Sequence, residues 1–497
     1  MASPAVPTAL SHLIGPETIA SADAGAVVVS GITADSRKSA PGMLFAAMPG
    51  TRVDGTAFAE QAVAHGAVAV LCGANAALPA IGVPVLRAED PRRALALMAA
   101  RLYGRQPGIA LAVTGTSGKT SVAEFTRQIL AACGRQAASL GTLGVVKPAG
   151  AVYGSLTTPD PVTLAATLAD LAREGITHLA FEASSHGLDQ RRLDGVKLSA
   201  AAFTNLGRDH LDYHVGIEDY LAAKLRLFDT LLEPGKPAVV NTDGARAADV
   251  MAVIERRAQR LISVGKAGQS LRLTGHRLDG FAQMLEIACE GRNITVRLPL
   301  IGAYQVENAL TAAGLALAAG EAPSDVLAAL EGLLGVPGRL DVVGEAKGGL
   351  ALVDYAHKPE ALAAALEAVR PFATGRVITV FGCGGDRDKG KRPIMGGIAA
   401  RQSHVVIVTD DNPRSENPAG IRAEILSGIA DRNGAGDASV EEIGDRREAI
   451  RTAVRMMRSG DVVLVAGKGH ETGQIVGDTI LPFSDRDELT AALDEVR

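Results

Sequence analysis

Tryptophan is absent from this 497-residue chain, and aromatic residues make up 3% of it. Platforms for stacking unpaired bases therefore have few side chains to be built from. Basic residues are not in excess either. The 50 Lys and Arg against 55 Asp and Glu leave a net charge of −5, the wrong sign for a protein whose main partner is nucleic acid. The four cysteines, Cys72, Cys133, Cys289 and Cys383, stand far apart with no C-x-x-C spacing. They form neither a disulfide framework nor a zinc site, which points to a reducing compartment. No uninterrupted apolar run approaches ~18 residues, and Met1 to Ala20 shows no basic segment leading into an apolar one. The expectation is a cytoplasmic protein with no membrane insertion and no nucleic-acid partner.

What is present fits an ordinary globular protein. The chain is 47% hydrophobic and 21% charged, and its length predicts about three domains. Abundant Ala and Gly favour packed helices and an α/β rather than an all-β class.

The most informative stretch is Ile109-Ala-Leu-Ala-Val-Thr-Gly-Thr-Ser-Gly-Lys-Thr-Ser121. The apolar run Ile109 to Val113 reads as a buried strand, and Val122 to Ala132 has helical periodicity. Between them lies a loop with Gly115, Thr116, Ser117, Gly118, Lys119, Thr120 and Ser121. Strand, glycine loop, lysine, hydroxyl and helix form a phosphate cradle: backbone N–H groups meet phosphate oxygens, Lys119 adds a point charge and Thr120 can ligate magnesium. Position 113 is Val where the first Gly of G-x-x-x-x-G-K-[ST] would stand. ATP is the expected ligand.

Before this loop, strands are predicted at Met43–Met48 and Ala67–Leu71 and helices at Phe58–His65 and Arg92–Tyr103. The turns Asp35-Ser36-Arg37 and Gly50-Thr-Arg-Val-Asp-Gly55 between them read as surface turns on spacing alone. After the loop, strands at His178–Phe181, Ala200–Thr204 and Pro237–Asn241 continue the α/β rhythm. Residues 271–298 alternate polar and apolar as a small antiparallel appendage. Helices follow at Val306–Ala319 and Ser324–Leu334, and Val336-Pro-Gly338 is a plausible linker. A third α/β run has strands Leu350–Asp354, Arg376–Phe381, Val405–Thr409 and Val462–Ala466 and helices Pro359–Val369 and Arg446–Arg458. Several of these strands end in polar loops, where open parallel sheets gather ligands. The Gly382 loop is not a dinucleotide fingerprint, because Arg387 replaces its last Gly.

Two clusters follow strands in the phosphate-loop region. Glu182, in Phe181-Glu-Ala-Ser-Ser-His186, is placed to reach magnesium, although a buried ion pair is an equal alternative. Asp209-His210-Leu-Asp-Tyr-His214 suggests a metal site, and spacing does not separate a metal-binding His210 from a structural one. Lys224 lies in a predicted amphipathic helix, Asp219 to Leu231, and by itself reads as a solvent-facing lysine.

Taken together, Thr114-Gly-Thr-Ser-Gly-Lys-Thr120, Glu182-Ala-Ser-Ser-His186, Asp209-His210, Asn308, Gly338-Arg339-Leu340 and Asp354-Tyr-Ala-His-Lys-Pro359 occur in an order that resembles the Mur ligase family over essentially the full length. Asp411-Asn-Pro-Arg414 narrows the resemblance to members that add meso-diaminopimelate. It implies three α/β domains: residues 1–106 for the UDP-sugar, 107–337 with a parallel sheet for ATP, and a Rossmann-like 338–497 for the amino acid. The implied reaction joins meso-diaminopimelate to UDP-N-acetylmuramoyl-L-alanyl-D-glutamate through an acyl phosphate, with ATP and Mg2+, in peptidoglycan precursor synthesis.

The resemblance also assigns roles. Lys119 would hold the β- and γ-phosphates, with Thr120, Glu182, His210 and Lys224 on magnesium, the last as a carbamate of its amine. Asn308 would face adenine, while Arg339 and Asp354 would close over ATP. The nucleotide-sugar substrate would meet Ser36, Thr51, Arg52 and Val53, and its peptide end Thr157, Thr158, Ser184, Gln190 and Arg192. Arg414, within Asp411, Asn412 and Pro413, would clasp the distal carboxylate of the amino acid, with Arg387 as a second contact. Glu471 and the carbonyl of Gly467 would hold its distal ammonium. A lysine-adding relative, a folylpolyglutamate-type ligase and a nucleotide-binding module without chemistry are the alternatives, and a monomer is the default state.

Overall fold

A computed structural model describes residues 5–21, 24–25, 27–50, 53–152, 156–207, 209, 213–430 and 438–496. These separate into two compact units, residues 1–272 with 310–329, and residues 273–309 with 330–497.

Besides a two-stranded pair of Thr8–Ala9 with Val28–Val29, the described residues of the first unit form two larger sheets. The smaller has strands β1 (Ile19–Ala20), β2 (Gly31–Thr33), β3 (Met43–Ala46), β4 (Ala69–Gly73) and β5 (Val85–Ala88) in the order β1-β5-β4-β3-β2. All pairings are parallel except β1 with β5. Helix α1 (Pro91–Tyr103) follows, started by the Asp90 carboxylate on the Arg93 N–H with Pro91 in the first turn, where its missing N–H costs nothing.

The larger sheet carries β6 (Ile109–Thr114), α2 (Lys119–Ala132), β7 (Ala137–Gly141), α3 (Pro161–Arg173), β8 (His178–Glu182), α4 (Ser185–Asp189), β9 (Ala200–Phe203), α5 (Ile217–Arg226), β10 (Pro237–Asn241), α6 (Ala247–Arg256) and β11 (Arg260–Gly265). Its parallel strands run β7-β8-β6-β9-β10-β11. Their interiors are short apolar residues, Ala-Leu-Ala-Val and Ala-Ala-Ala-Phe, buried throughout, as parallel strands covered on both faces must be. Alanine therefore builds the middle of this sheet as well as its helices. The chain passes from β8, on one side of β6, to β9 on the other, so the strand order reverses around β6. That is where an open α/β sheet leaves a crevice. Helix α5 ends earlier than expected: Leu227–Leu231 is π-helical.

Strand β12 (Leu271–Asp279) carries the chain into the second unit, which holds β13 (Ala282–Cys289) and β14 (Arg292–Leu298), paired antiparallel. Helix α7 (Ala303–Ala318) begins in it. The expected helix from Ser324 is shorter, Pro323–Ala329 with a 3-10 turn over Leu330–Gly332. A second sheet has β15 (Asp341–Ala346), β16 (Gly349–Asp354), β17 (Val377–Phe381), β18 (Val405–Val408), β19 (Ser439–Glu442) and β20 (Val462–Ala466) in the order β15-β16-β20-β17-β18-β19. Only β15 is antiparallel. Because β20 inserts between β16 and β17, the loops after β16, β20, β17 and β18 emerge side by side. A hairpin of β21 (Gly473–Val476) and β22 (Thr479–Pro482) follows β20.

Candidate active site

In the first unit the phosphate loop leaves β6 at the sheet's reversal point. Gly118 starts α2 at φ +87°, a left-handed conformation that suits glycine. The neighbouring strand holds the loop in place. The Thr116 N–H donates to the Asn205 carbonyl at 2.9 Å, the Ser117 N–H to Asn205 Oδ1 at 3.1 Å, and Thr204 Oγ1 to the Ser117 carbonyl at 2.7 Å. Lys119 Nζ donates to the Gly115 and Thr116 carbonyls, each at 2.8 Å. Glu182 ends β8 beside Val113 of β6. It is buried, and its Oε1 accepts the Thr142 N–H at 2.7 Å. A Cβ at Gly141 would lie 2.6 Å from Glu182 Cγ, so glycine there makes room for the carboxylate.

Lys224 is not on the surface. It is 1% exposed, its Nζ donates to the same Gly115 carbonyl at 2.7 Å, and its ammonium lies 4.2 Å from the centroid of the Tyr220 ring. Burial pushes its pKa down to about 6; the Lys119 charge adds to this and Asp209 opposes it. Two lysines thus converge on one carbonyl, and the inner one is mostly neutral at pH 7. His210, expected beside them, lies outside the described residues.

Next to Glu182 the structure gathers all five residues assigned to the peptide end of the nucleotide sugar. Thr158 Oγ1 donates to the Glu182 carbonyl at 3.0 Å and meets Ser184 Oγ at 2.9 Å. Arg192 donates to the Thr158 carbonyl at 2.6 Å and to Gln190 Oε1 at 2.7 Å, and Thr157 Oγ1 meets Thr142 Oγ1 at 3.2 Å. In the smaller sheet's region Ser36 is buried with its Oγ 3.1 Å from Gln61 Oε1, and Val53 is exposed. Thr51 and Arg52 lie outside the described residues.

In the second unit Asn308 is buried and donates to Gln305 Oε1 at 2.9 Å. Asp354 is engaged structurally: its carboxylate takes the Leu340 N–H at 2.7 Å and the Ala356 N–H at 2.8 Å. The Arg339 guanidinium lies 5.3 Å from the Tyr355 ring centroid.

The four adjacent strand ends of this unit frame a cleft of about 800 Å3 whose walls include Tyr355, Arg387, Asp411, Arg414, Gly467 and Glu471. Arg414 adopts φ +51° and donates to the Gly385 carbonyl at 2.8 Å. Its own N–H donates to Ile475 O at 3.1 Å, and its carbonyl accepts the Gly477 N–H at 2.8 Å. Arg387 is exposed. Asp411 is buried, which pushes its carboxyl up against the opposing pull of Arg446 and Lys468. Asn412 bonds Glu471, Lys468 and the Ile475 N–H. The contributions of Lys468 and the β21–β22 hairpin were missed in the sequence. Lys468 lies inside the stretch Gly467-Lys-Gly-His-Glu471, so spacing alone could have raised it. The walls supply the guanidiniums of Arg387 and Arg414, the carboxylates of Asp411 and Glu471 and the backbone of Gly467, groups of the kinds that a zwitterionic amino-acid end pairs with.

Known proteins resemble this chain along nearly its whole length. The Mur ligase family catalytic domain matches residues 28–103, the Mur ligase middle domain 113–316, and the Mur ligase glutamate ligase domain 338–469. The UDP-N-acetylmuramoyl-L-alanyl-D-glutamate--2,6-diaminopimelate ligase of Agrobacterium fabrum is 57% identical over 95% of this chain and 94% of its own length. The enzyme of that name from Brucella melitensis is 55% identical over 96% of each. A solved structure of a ligase of the same name superposes with a TM-score of 0.75 at 32% identity, covering 99% of both chains. With relatives this similar along nearly its whole length, the chain belongs to the Mur ligase family.

Proposed function

We propose that this chain is an ATP-dependent ligase that joins meso-diaminopimelate to the D-glutamate γ-carboxylate of UDP-N-acetylmuramoyl-L-alanyl-D-glutamate, in the cytoplasm, with residues 1–106, 107–337 and 338–497 serving nucleotide sugar, ATP and amino acid. The observation that carries it is the cleft where Arg414 stands with Glu471, since a distal carboxylate and ammonium distinguish diaminopimelate from simpler amino acids. The relatives' names accord with this substrate.

A carboxylate is a poor electrophile. Its oxygen attacks the γ-phosphorus of ATP and ADP leaves, giving an acyl phosphate. The amine then attacks the acyl carbon, loses a proton and expels phosphate. The protein's task is positioning and charge neutralisation. The loop N–H groups and Lys119 hold the phosphates, while Arg192, Gln190, Ser184, Thr157 and Thr158 orient the peptide end. Asn308, Arg339 and Asp354 serve the nucleotide side.

The neutral amine of Lys224 favours addition of CO2: its nitrogen bonds the CO2 carbon, one proton is lost, and the neutral amine becomes an oxygen-bearing anion. With Thr120 and Glu182 it offers oxygen donors of the kind magnesium takes, and His210 is the remaining expected ligand. Bound there, magnesium would offset phosphate charge. The test is to incubate the protein with ATP, magnesium, the muramoyl dipeptide and either meso-diaminopimelate or lysine, then weigh the product. Equal extension with lysine overturns the substrate, and absence of ADP overturns the reaction.

A further inference from the structure

Lys468 is fully buried, with a side-chain exposure of 0%, and the reaction just described gives it no task. An ammonium taken out of water is costly unless it is paired and hydrogen-bonded. Its two acceptors both belong to the amino-acid cleft: Asn412 Oδ1 at 3.0 Å and Glu471 Oε2 at 3.1 Å. Asn412 Nδ2 donates to that same Glu471 oxygen at 3.0 Å. The Asn412 amide cannot turn over, because its Oδ1 also takes the Ile475 N–H at 2.9 Å. Glu471 is therefore held through one oxygen by two donors. Its Oε1 accepts no bond from the described residues, and the side chain is 35% exposed where it lines the cleft.

We propose that Lys468 is the positioning residue for the ammonium-binding end of the amino-acid cleft. It never touches the amino acid. It fixes the Glu471 carboxylate and the Asn412 amide in one orientation, leaving Oε1 to receive the substrate's distal ammonium. This rests on reading the cleft as the diaminopimelate site. Preorganising one carboxylate oxygen spares the ordering cost that a freely rotating glutamate would impose on binding.

The test compares two amino acids: meso-diaminopimelate and 2-aminopimelate, which keeps the distal carboxylate and lacks the distal amine. In the full-length protein, Lys468→Met should raise KM for diaminopimelate about tenfold or more, with kcat within about threefold, because one charge-assisted tether is lost. KM for 2-aminopimelate should stay at its wild-type value, and Lys468→Arg should restore much of the diaminopimelate affinity. Should Lys468→Met not fold, Lys468→Gln, which removes the charge and keeps a donor, carries the same comparison. An equal rise in KM for both amino acids, a matched fall in kcat, or unchanged kinetics each overturns the positioning role. A wild-type protein that forms no ADP with diaminopimelate overturns instead the reading of the cleft.

Discussion

Among single residues, Lys224 has strongly perturbed electrostatics. A lysine with a pKa of 10.5 in the unfolded chain and about 6 in the folded one is bound to its proton more tightly by the unfolded state between those values. Its contribution to stability therefore rises as pH climbs from about 6 towards 10.5. Lys224→Met should remove that slope, raising Tm near pH 6.5 and converging with wild type at alkaline pH, when melting is followed in CO2-free buffer. Catalysis should respond in the opposite sense. Lys224→Arg keeps a cation, forms no carbamate, and is expected to lower kcat about 100-fold or more, the scale of losing a preorganised charge. At the other site, Arg414→Ala should raise KM for diaminopimelate and cancel its preference over lysine in paired assays. The two residues differed in legibility. Arg414 stood out within its four-residue stretch, whereas Lys224 looked like a surface residue by type. Yet Tyr220, Leu221 and Lys224 are all buried on one helical face, so its i+4 spacing from Tyr220 held the signal.

At the scale of elements, the β21–β22 hairpin supports the loop that carries Arg414. The Ile475 N–H donates to Asn412 Oδ1, Ile475 O accepts from Arg414, and Gln474 Nε2 donates to the Asp411 carbonyl at 2.8 Å. Ile475→Pro deletes the first of these donors, which loosens the Asn412 amide while replacing no residue that lines the cleft. It should raise KM for diaminopimelate about threefold to tenfold, the cost of one hydrogen bond, with KM for ATP unchanged in steady-state assays. The parallel strands were legible because buried strands read as short apolar runs, and β6, β8, β10 and β20 fall within a residue of their expected bounds. The hairpin was not, because its second strand, Thr479–Pro482, is exposed along its length and shows no apolar alternation. Strand β15 was equally obscure: a Gly and a Glu interrupt Asp341-Val-Val-Gly-Glu-Ala346, and only pairing with β16 makes it a strand. Neither kind of element announces itself through burial.

Across the whole molecule, the groups proposed to activate the carboxylate and those proposed to select the amine belong to different compact units. Lys119, Glu182 and Lys224 lie in the first, Arg414 and Glu471 in the second. The two half-reactions should then separate under mutation. Acyl-phosphate formation with ATP and the muramoyl dipeptide is measurable without any amino acid, because reversal scrambles the β–γ bridging oxygen of labelled ATP. Lys119→Ala removes a cation from the phosphates and should abolish both that exchange and ligation. Arg414→Ala should leave the exchange within about twofold of wild type, since a side chain that meets only the amino acid contributes nothing to the first transition state. Ligation at low diaminopimelate should fall far more. Phosphate release without amino acid should stay a small fraction of the coupled rate, because an acyl phosphate is useful only while water is kept from it. If Arg414→Ala suppressed exchange and ligation equally, the amino-acid cleft would be taking part in activation itself, and the assignment of the two steps to separate sets of residues would be wrong.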